Sequence, residues 1–338
     1  MPETRRLKWA MFIRRNQNSE GETSLLQRAA NWSSHATIES LTAETLQQIT
    51  KDEGVDFATA LLFERFSKSE RHAEFIQRIG ALRGCSSVTS AAIDAKVVIV
   101  PGALYQERPD MGGDGRLVRE VAAKFGYKTD VIPLLSFGSV KENARLIRSW
   151  FYQHSGERMI LVSLSKGGTD LKRALAAPDA PTLYRNVIAW VNVCGPLNGS
   201  RMANWILASW WRTMFVRAKC RWQQRDFQLI TDLLHEPAEP LNFQPLLPPS
   251  MKMFSLVGFP LEAHMTTRFS RFCHHTLAAY GPNDGTTLLS DLMVWPGEIF
   301  PAWGMDHYFR PENEARNLIA AMFKYLAEEW SSASKIKP

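Results

Sequence analysis

In the segment MILVSLSKGGTDLKRAL an apolar run passes without a break into a glycine-containing helical stretch, and Ser165 stands at the junction. A serine held on a sharp strand-to-helix turn has strained backbone angles and needs small residues two positions to either side, which Ser163 and Gly167 supply. Its hydroxyl is a poor nucleophile until a base accepts the proton. Acyl-transfer chemistry therefore also calls for an imidazole, a carboxylate that holds that imidazole in one tautomer, and N–H donors for the oxyanion. The chain has eight histidines. His35 and His72 lie far upstream, His154 ends a helical stretch, His235 falls in a Trp- and Arg-rich region, and His264, His274 and His275 precede the turn GPNDG, while His307 comes late, in PAWGMDHYFRP. The carboxylate candidates are Asp284 in that turn, Asp291, and Asp306, whose side chain as an immediate neighbour rarely points at the His307 ring. Pro, Asn, Asp and Gly together also make a turn with no chemistry attached, and the adjacent His274 and His275 read as structural residues rather than metal ligands.

The elements that must position these groups follow from the hydrophobic pattern. From residue 96 the runs KVVIV, TDVIPLL, MILVS, VIAWVNV and MKMFSLV read as strands, with a sixth near HTLAAYG. GRLVREVAAKFG and VKENARLIRSWFYQH read as crossover helices between them, so the fold class is α/β, a mostly parallel sheet flanked by helices. Residues 1–90 form a helical N-terminal extension: Phe75, Ile76, Ile79 and Leu82 share one face, Thr42 caps one helix, and Ser67 with Glu70 makes a capping box for another. About residues 199–248, too long for an ordinary connection, read as a cap or lid insertion. NEARNLIAAMFKYLAEEW closes residues 91–330 as an amphipathic helix, and 331–338 read as a loose tail.

The strand–Ser–helix junction resembles the nucleophile elbow of the α/β-hydrolase family, with S-x-S-x-G where the family usually has G-x-S-x-G. The resemblance covers about residues 91–330 and implies a Ser-Asp-His order, hence Ser165 as nucleophile, Asp284 as the orienting carboxylate and His307 as base. It also implies an oxyanion hole from the amide of Lys166 and that of Ala103 or Leu104, because Pro101 and Gly102 take the place of the family's oxyanion loop. MGGDG, lacking the Lys and Ser/Thr of a phosphate loop, reads as a flexible loop beside that turn. The implied reaction is hydrolysis of a carboxylic ester or related acyl bond of a small-molecule or lipid-like substrate, with no cofactor and no metal. An acyltransferase with the same three residues and a catalytically inactive scaffold are the alternatives.

Composition narrows the partners. A formal charge of +6 arises from 40 basic against 34 acidic residues spread along the whole chain, and no zinc-finger, P-loop or RRM pattern is present, so nucleic-acid binding is not indicated. The basic N-terminus MPETRRLKWAMFIRRN lacks a secretory h-region, no long apolar run suggests a membrane span, and Cys85, Cys194, Cys220 and Cys273 are too scattered for a C-x-x-C site. These features together favour a cytoplasmic location with reduced thiols. Within the insertion, Trp205, Trp210, Trp211, Phe215 and Trp222 interleave with Arg212, Arg217, Lys219 and Arg221. Such stripes most often pack as lid or core; a wall of an acyl pocket and a peripheral contact with lipid headgroups are the other readings.

Overall fold

The computed structural model describes residues 21–83, 93–154, 156–235, 241–245 and 247–334; the basic N-terminal segment, Cys85 and residues 335–338 lie outside them. In chain order the elements are α1 (Glu22–Ala30), α2 (Ala43–Glu53), α3 (Val55–Ser67), α4 (Ala73–Arg83), β1 (Lys96–Val100), α5 (Arg116–Lys124), β2 (Thr129–Val131), α6 (Val140–Gln153), β3 (Met159–Leu164) and α7 (Lys166–Leu175). They continue as α8 (Ala180–Leu183), β4 (Val187–Val193), α9 (Arg201–Leu207), α10 (Trp210–Trp222), α11 (Gln228–Asp232), β5 (Lys252–Phe259), α12 (Arg268–Leu277), β6 (Glu298–Trp303) and α13 (Glu312–Ser334).

The strands form one parallel sheet in the order β2-β1-β3-β4-β5-β6. Every residue of β3 and β4 is buried, as expected for strands covered on both faces. Side chains alternate between two apolar layers: Val98, Val100, Leu161, Trp190 and Val257 pack beneath α3, α6 and α7, and Val97, Ile99, Ile160, Val191 and Leu256 beneath α5 and α13.

Two sequence expectations fail here. The sixth strand is not HTLAAYG but EIFPAW. The segment around His275 belongs to α12, which buries Ser270, Cys273, His274 and Leu277 at three- and four-residue spacing. Pro301 disguises the true strand, yet it is tolerated because β6 is an edge: the Ile299 N–H, two residues earlier on the same side, points out of the sheet to His72 Nδ1 at 3.3 Å, so the proline nitrogen removes no ladder bond. Ser67 is likewise no cap for a following helix, since it is the last residue of α3 and its hydroxyl donates back to Phe63 O at 2.8 Å. The Thr42 cap is present, its Oγ1 accepting from Thr45 N at 3.2 Å.

The extension shares the core of the sheet. Phe63 and Phe66 of α3 meet Phe259 of β5 edge-on at 5.9 and 5.8 Å, and Phe75 of α4 meets Phe254 and Tyr325 at 5.3 and 5.1 Å. Arg65, buried in α3, ties the segment after α1 by donating to Trp32 O at 2.7 Å and His35 O at 2.8 Å. The base of the insertion is fastened by the buried Lys172, whose Nζ donates to Leu197 O at 2.8 Å and Leu241 O at 2.7 Å; burial lowers its pKa to about 8. No helix among the described residues is long and apolar enough to cross a membrane.

Candidate active site

The junction predicted at Ser165 is a sharp turn. Ser165 has φ 48° and ψ −126°, an arrangement that costs a non-glycine residue about 1–3 kcal/mol and persists only where its surroundings hold it. Its N–H donates to Val193 O at 3.0 Å, and α7 begins at the next residue. Gly167 is required by close approach, because a Cβ there would lie 2.3 Å from Val100 O and 2.6 Å from Pro101 O. Ser163 shows why glycine is not needed two residues before the turn. Its fully buried hydroxyl donates to Asn192 Oδ1 at 3.1 Å and accepts from Trp190 Nε1 at 2.8 Å, so the extra side chain satisfies two polar groups of the neighbouring strand.

His307 reaches the turn from the loop after β6. Its Nε2 lies 2.8 Å from Ser165 Oγ and its Nδ1 lies 2.9 Å from Asp284 Oδ2. The three side chains drawn from distant parts of the sequence thus form one continuous chain of hydrogen bonds. Asp284 is 1% exposed; its Oδ1 accepts from Thr286 N at 2.8 Å and Thr287 N at 2.7 Å, and its carbonyl accepts the His307 N–H at 2.8 Å. Burial alone would disfavour the imidazolium, but the charge of Asp284 and its hydrogen bond, with Asp306 adding to them, hold the His307 pKa above the ordinary histidine value.

The other candidates are engaged elsewhere. Asp306 turns away from the ring, its Oδ2 accepting from Thr266 N at 3.1 Å and its Oδ1 from Tyr308 N at 3.0 Å. Asp291 pairs with His235 Nε2 at 2.8 Å. His274 is buried and holds Asn283 Oδ1 at 3.0 Å, while His275 lies 3.2 Å from Glu262. Within PNDG both residues brace the turn, Asn283 Oδ1 accepting from Gly285 N at 3.1 Å and Asp284 Oδ1 from Thr286 N and Thr287 N, while Asp284 Oδ2 faces the imidazole. Among the described residues no group of three His, Cys, Asp or Glu side chains is placed to hold a metal ion.

The loop after β1 lies against the turn: a Cβ on Gly102 would stand 3.4 Å from Ser165 Cβ, and the Gly102 N–H donates to Gly113 O at 2.9 Å, which sets the MGGDG loop beside it. Of the two amides expected to face an oxyanion from this loop, that of Leu104 is already committed to Ser136 O at 2.8 Å, which leaves Ala103. Lys166 opens α7, where the first N–H groups have no intrahelical acceptor. Its side chain points inward instead, Nζ lying 2.6 and 2.7 Å from the two Asp170 oxygens.

Two groups escaped sequence reasoning. Thr286 Oγ1 lies 2.6 Å from His307 Nδ1 and 3.4 Å from Asp284 Oδ1, so it contacts both members of the pair; its place two residues after Asp284 was the only available signal. Asn143 of α6 donates to Asp170 Oδ2 at 2.9 Å and brackets Leu135 by accepting from its N–H and donating to its carbonyl, both at 3.1 Å. The buried pair beneath the Ser165 turn is thereby tied to the segment whose Ser136 holds Leu104. Nothing in the spacing of Asn143 reveals this.

No protein-family model matches the chain, and no curated protein matches it in sequence. Solved structures do resemble it. A metagenomic carboxyl esterase aligns over 85% of this chain and 91% of its own, with a TM-score of 0.55 and 18% identity. The mature lipase of Bacillus licheniformis aligns over 72% and 96%, with a TM-score of 0.51 and 21% identity. A Staphylococcus hyicus lipase aligns over 73% and 98%, with a TM-score of 0.55 and 12% identity. At these identities the likeness concerns architecture, and the chain has the α/β-hydrolase fold.

Proposed function

We propose that the chain hydrolyses a carboxylic ester, or a related acyl bond, of a small-molecule or lipid-like substrate through an acyl intermediate on Ser165. The observation that carries this reading is the unbroken hydrogen-bonded path from Ser165 Oγ through both nitrogens of His307 to Asp284. Neutral His307 takes the Ser165 proton as Oγ attacks the acyl carbon, and Asp284 keeps Nδ1 protonated and balances the imidazolium that forms. The oxyanion then faces the amides of Lys166 and Ala103, each worth roughly 3–4 kcal/mol when preorganised in a dry site. His307 returns the proton to the leaving alcohol, then activates a water that releases the acid and restores the serine. The fold shared with a carboxyl esterase and two lipases supports the same class of substrate. The free, buried Cys194, Cys220 and Cys273 support a reducing, cytoplasmic setting.

Labelling with a fluorophosphonate probe tests the assignment. The full chain should be modified at Ser165 and cleave p-nitrophenyl esters, and Ser165→Ala should lose labelling and about 10⁴-fold or more of kcat/KM. A folded wild-type protein that neither labels nor cleaves any ester in a series of rising acyl length would overturn the proposal.

A further inference from the structure

The insertion carries a surface that the proposed reaction does not use. Of the five aromatics expected to pack as lid or core, Trp205 packs against Phe272, whereas Trp210, Trp211, Phe215 and Trp222 of α10 are exposed, as is Met214 beside them. At roughly 100° per residue, these apolar side chains occupy one sector of about 140° on the helix. Arg217 and Arg221 fall at one edge of that sector and Arg212 and Lys219 at the other. The side turned to the protein is narrow and carries the buried Cys220 with the partly covered Thr213 and Val216.

Charge follows the same plan. Residues 201–225 contain six basic residues and no Asp or Glu. Among the described residues, no carboxylate pairs with any of the six. The guanidinium groups of Arg201, Arg212, Arg217 and Arg225 instead lie over rings, that of Arg212 4.0 Å from the centroid of Trp205 and that of Arg217 4.7 Å from that of Phe227. Trp205 also meets Phe272 of α12 at 5.6 Å, and Phe269 and Phe272 are themselves exposed, which extends the aromatic surface onto a second helix. A protruding ridge of tryptophan edged on both sides by long cationic side chains suits a boundary between apolar and aqueous phases, where the rings enter the headgroup region and the cations stay among anionic groups. A second copy of the chain is a poor occupant. A two-fold contact through this surface would bring Arg212, Arg217, Lys219 and Arg221 of α10 against their equivalents, and the helix itself carries no acid to offset them.

We infer that α10 docks the protein onto an anionic lipid surface. The insertion that carries α10 begins beside the candidate active site: Ser200, the cap of α9, donates from Oγ to Thr286 O at 2.6 Å, and Thr286 Oγ1 lies 2.6 Å from His307 Nδ1.

The experiment uses the full chain carrying Ser165→Ala, so that lipid hydrolysis plays no part and a failure to dock leaves the esterase reading untouched. Co-sedimentation is measured with vesicles of phosphatidylcholine alone and of phosphatidylcholine with a minority of phosphatidylglycerol, together with the tryptophan emission maximum. The protein should sediment with the anionic vesicles, shift its emission to the blue, and be released by high salt. Neutralising Arg217, Lys219 and Arg221 to Gln should weaken the partition by about 100-fold. Trp210→Ser with Trp222→Ser should abolish the blue shift, and unchanged urea unfolding of both variants shows that they remain folded. Equal binding to neutral vesicles, no sedimentation, binding indifferent to both variants, or self-association through α10 in place of vesicle binding each overturns the inference.

Discussion

The same residue types serve opposite ends in the Ser165 turn and in α10. Trp190, fully buried in β4, spends its N–H on Ser163 at 2.8 Å, whereas Trp222 at the end of α10 is 82% exposed. Lys166 is buried with both carboxylate oxygens of Asp170 within 2.7 Å, whereas Lys219 is exposed and among the described residues has no carboxylate partner. Burying a polar group is costly unless it is given a partner, as Trp190 Nε1 and Lys166 are; a surface helix can leave its own unpaired only because water, or another phase, completes them. The contrast locates rigidity around Ser165 and availability on α10.

The sharpest way to break this contrast is at the best-partnered charge. Asp284→Asn should reduce kcat/KM by about 10⁴-fold, since the imidazole loses its tautomer restraint and its counter-charge. The pH profile adds a sign. The base must be neutral, so kcat/KM should rise with pH through a midpoint above the ordinary histidine value of about 6.5, because Asp284 raises the His307 pKa. Without that charge burial is opposed only by the smaller effect of Asp306, and the midpoint of the residual activity should move to lower pH. A midpoint that stays or rises would contradict the geometry.

A smaller effect is expected from the pair beneath the turn. Asp170→Ala strands the Lys166 ammonium in a buried site and should cost about 3–5 kcal/mol in urea unfolding. Replacing both residues with apolar ones of similar volume should recover most of the loss. Smaller again is Ser163→Gly. It restores the residue usual in this fold yet should destabilise by about 1–3 kcal/mol, because Trp190 Nε1 loses its acceptor. A neutral or stabilising result would show that the hydroxyl holds nothing. Least of all should Trp222→Ser matter, changing unfolding by less than about 0.5 kcal/mol. A larger loss would mean that α10 packs where it now looks outward.

The legible parts of the fold are those with a local cause. Continuous apolar runs marked β1, β3, β4 and β5, and three- and four-residue spacing marked α5 and α6. EIFPAW was missed because a proline is tolerated only on an edge, and edge position is a property of the assembled sheet. HTLAAYG misled because its helical spacing begins upstream, at Ser270 and Cys273.

At the candidate site, the strand–Ser–helix junction and the Ser-Asp-His order implied by the resemblance to the α/β-hydrolase family pointed to Ser165, Asp284 and His307. Which neighbours would complete them was not written in any spacing. Thr286 beside His307, Ser136 taking the Leu104 amide, and Asn143 bridging Asp170 to Leu135 are contacts between separate loops and helices. Local periodicity records which face of an element meets the core; it carries no information on which distant group will stand three ångströms away. The amino-acid order by itself therefore determined the strand–turn–helix that carries Ser165. Only the packed chain decided which amides and hydroxyls surround it, and which tryptophans stay outside.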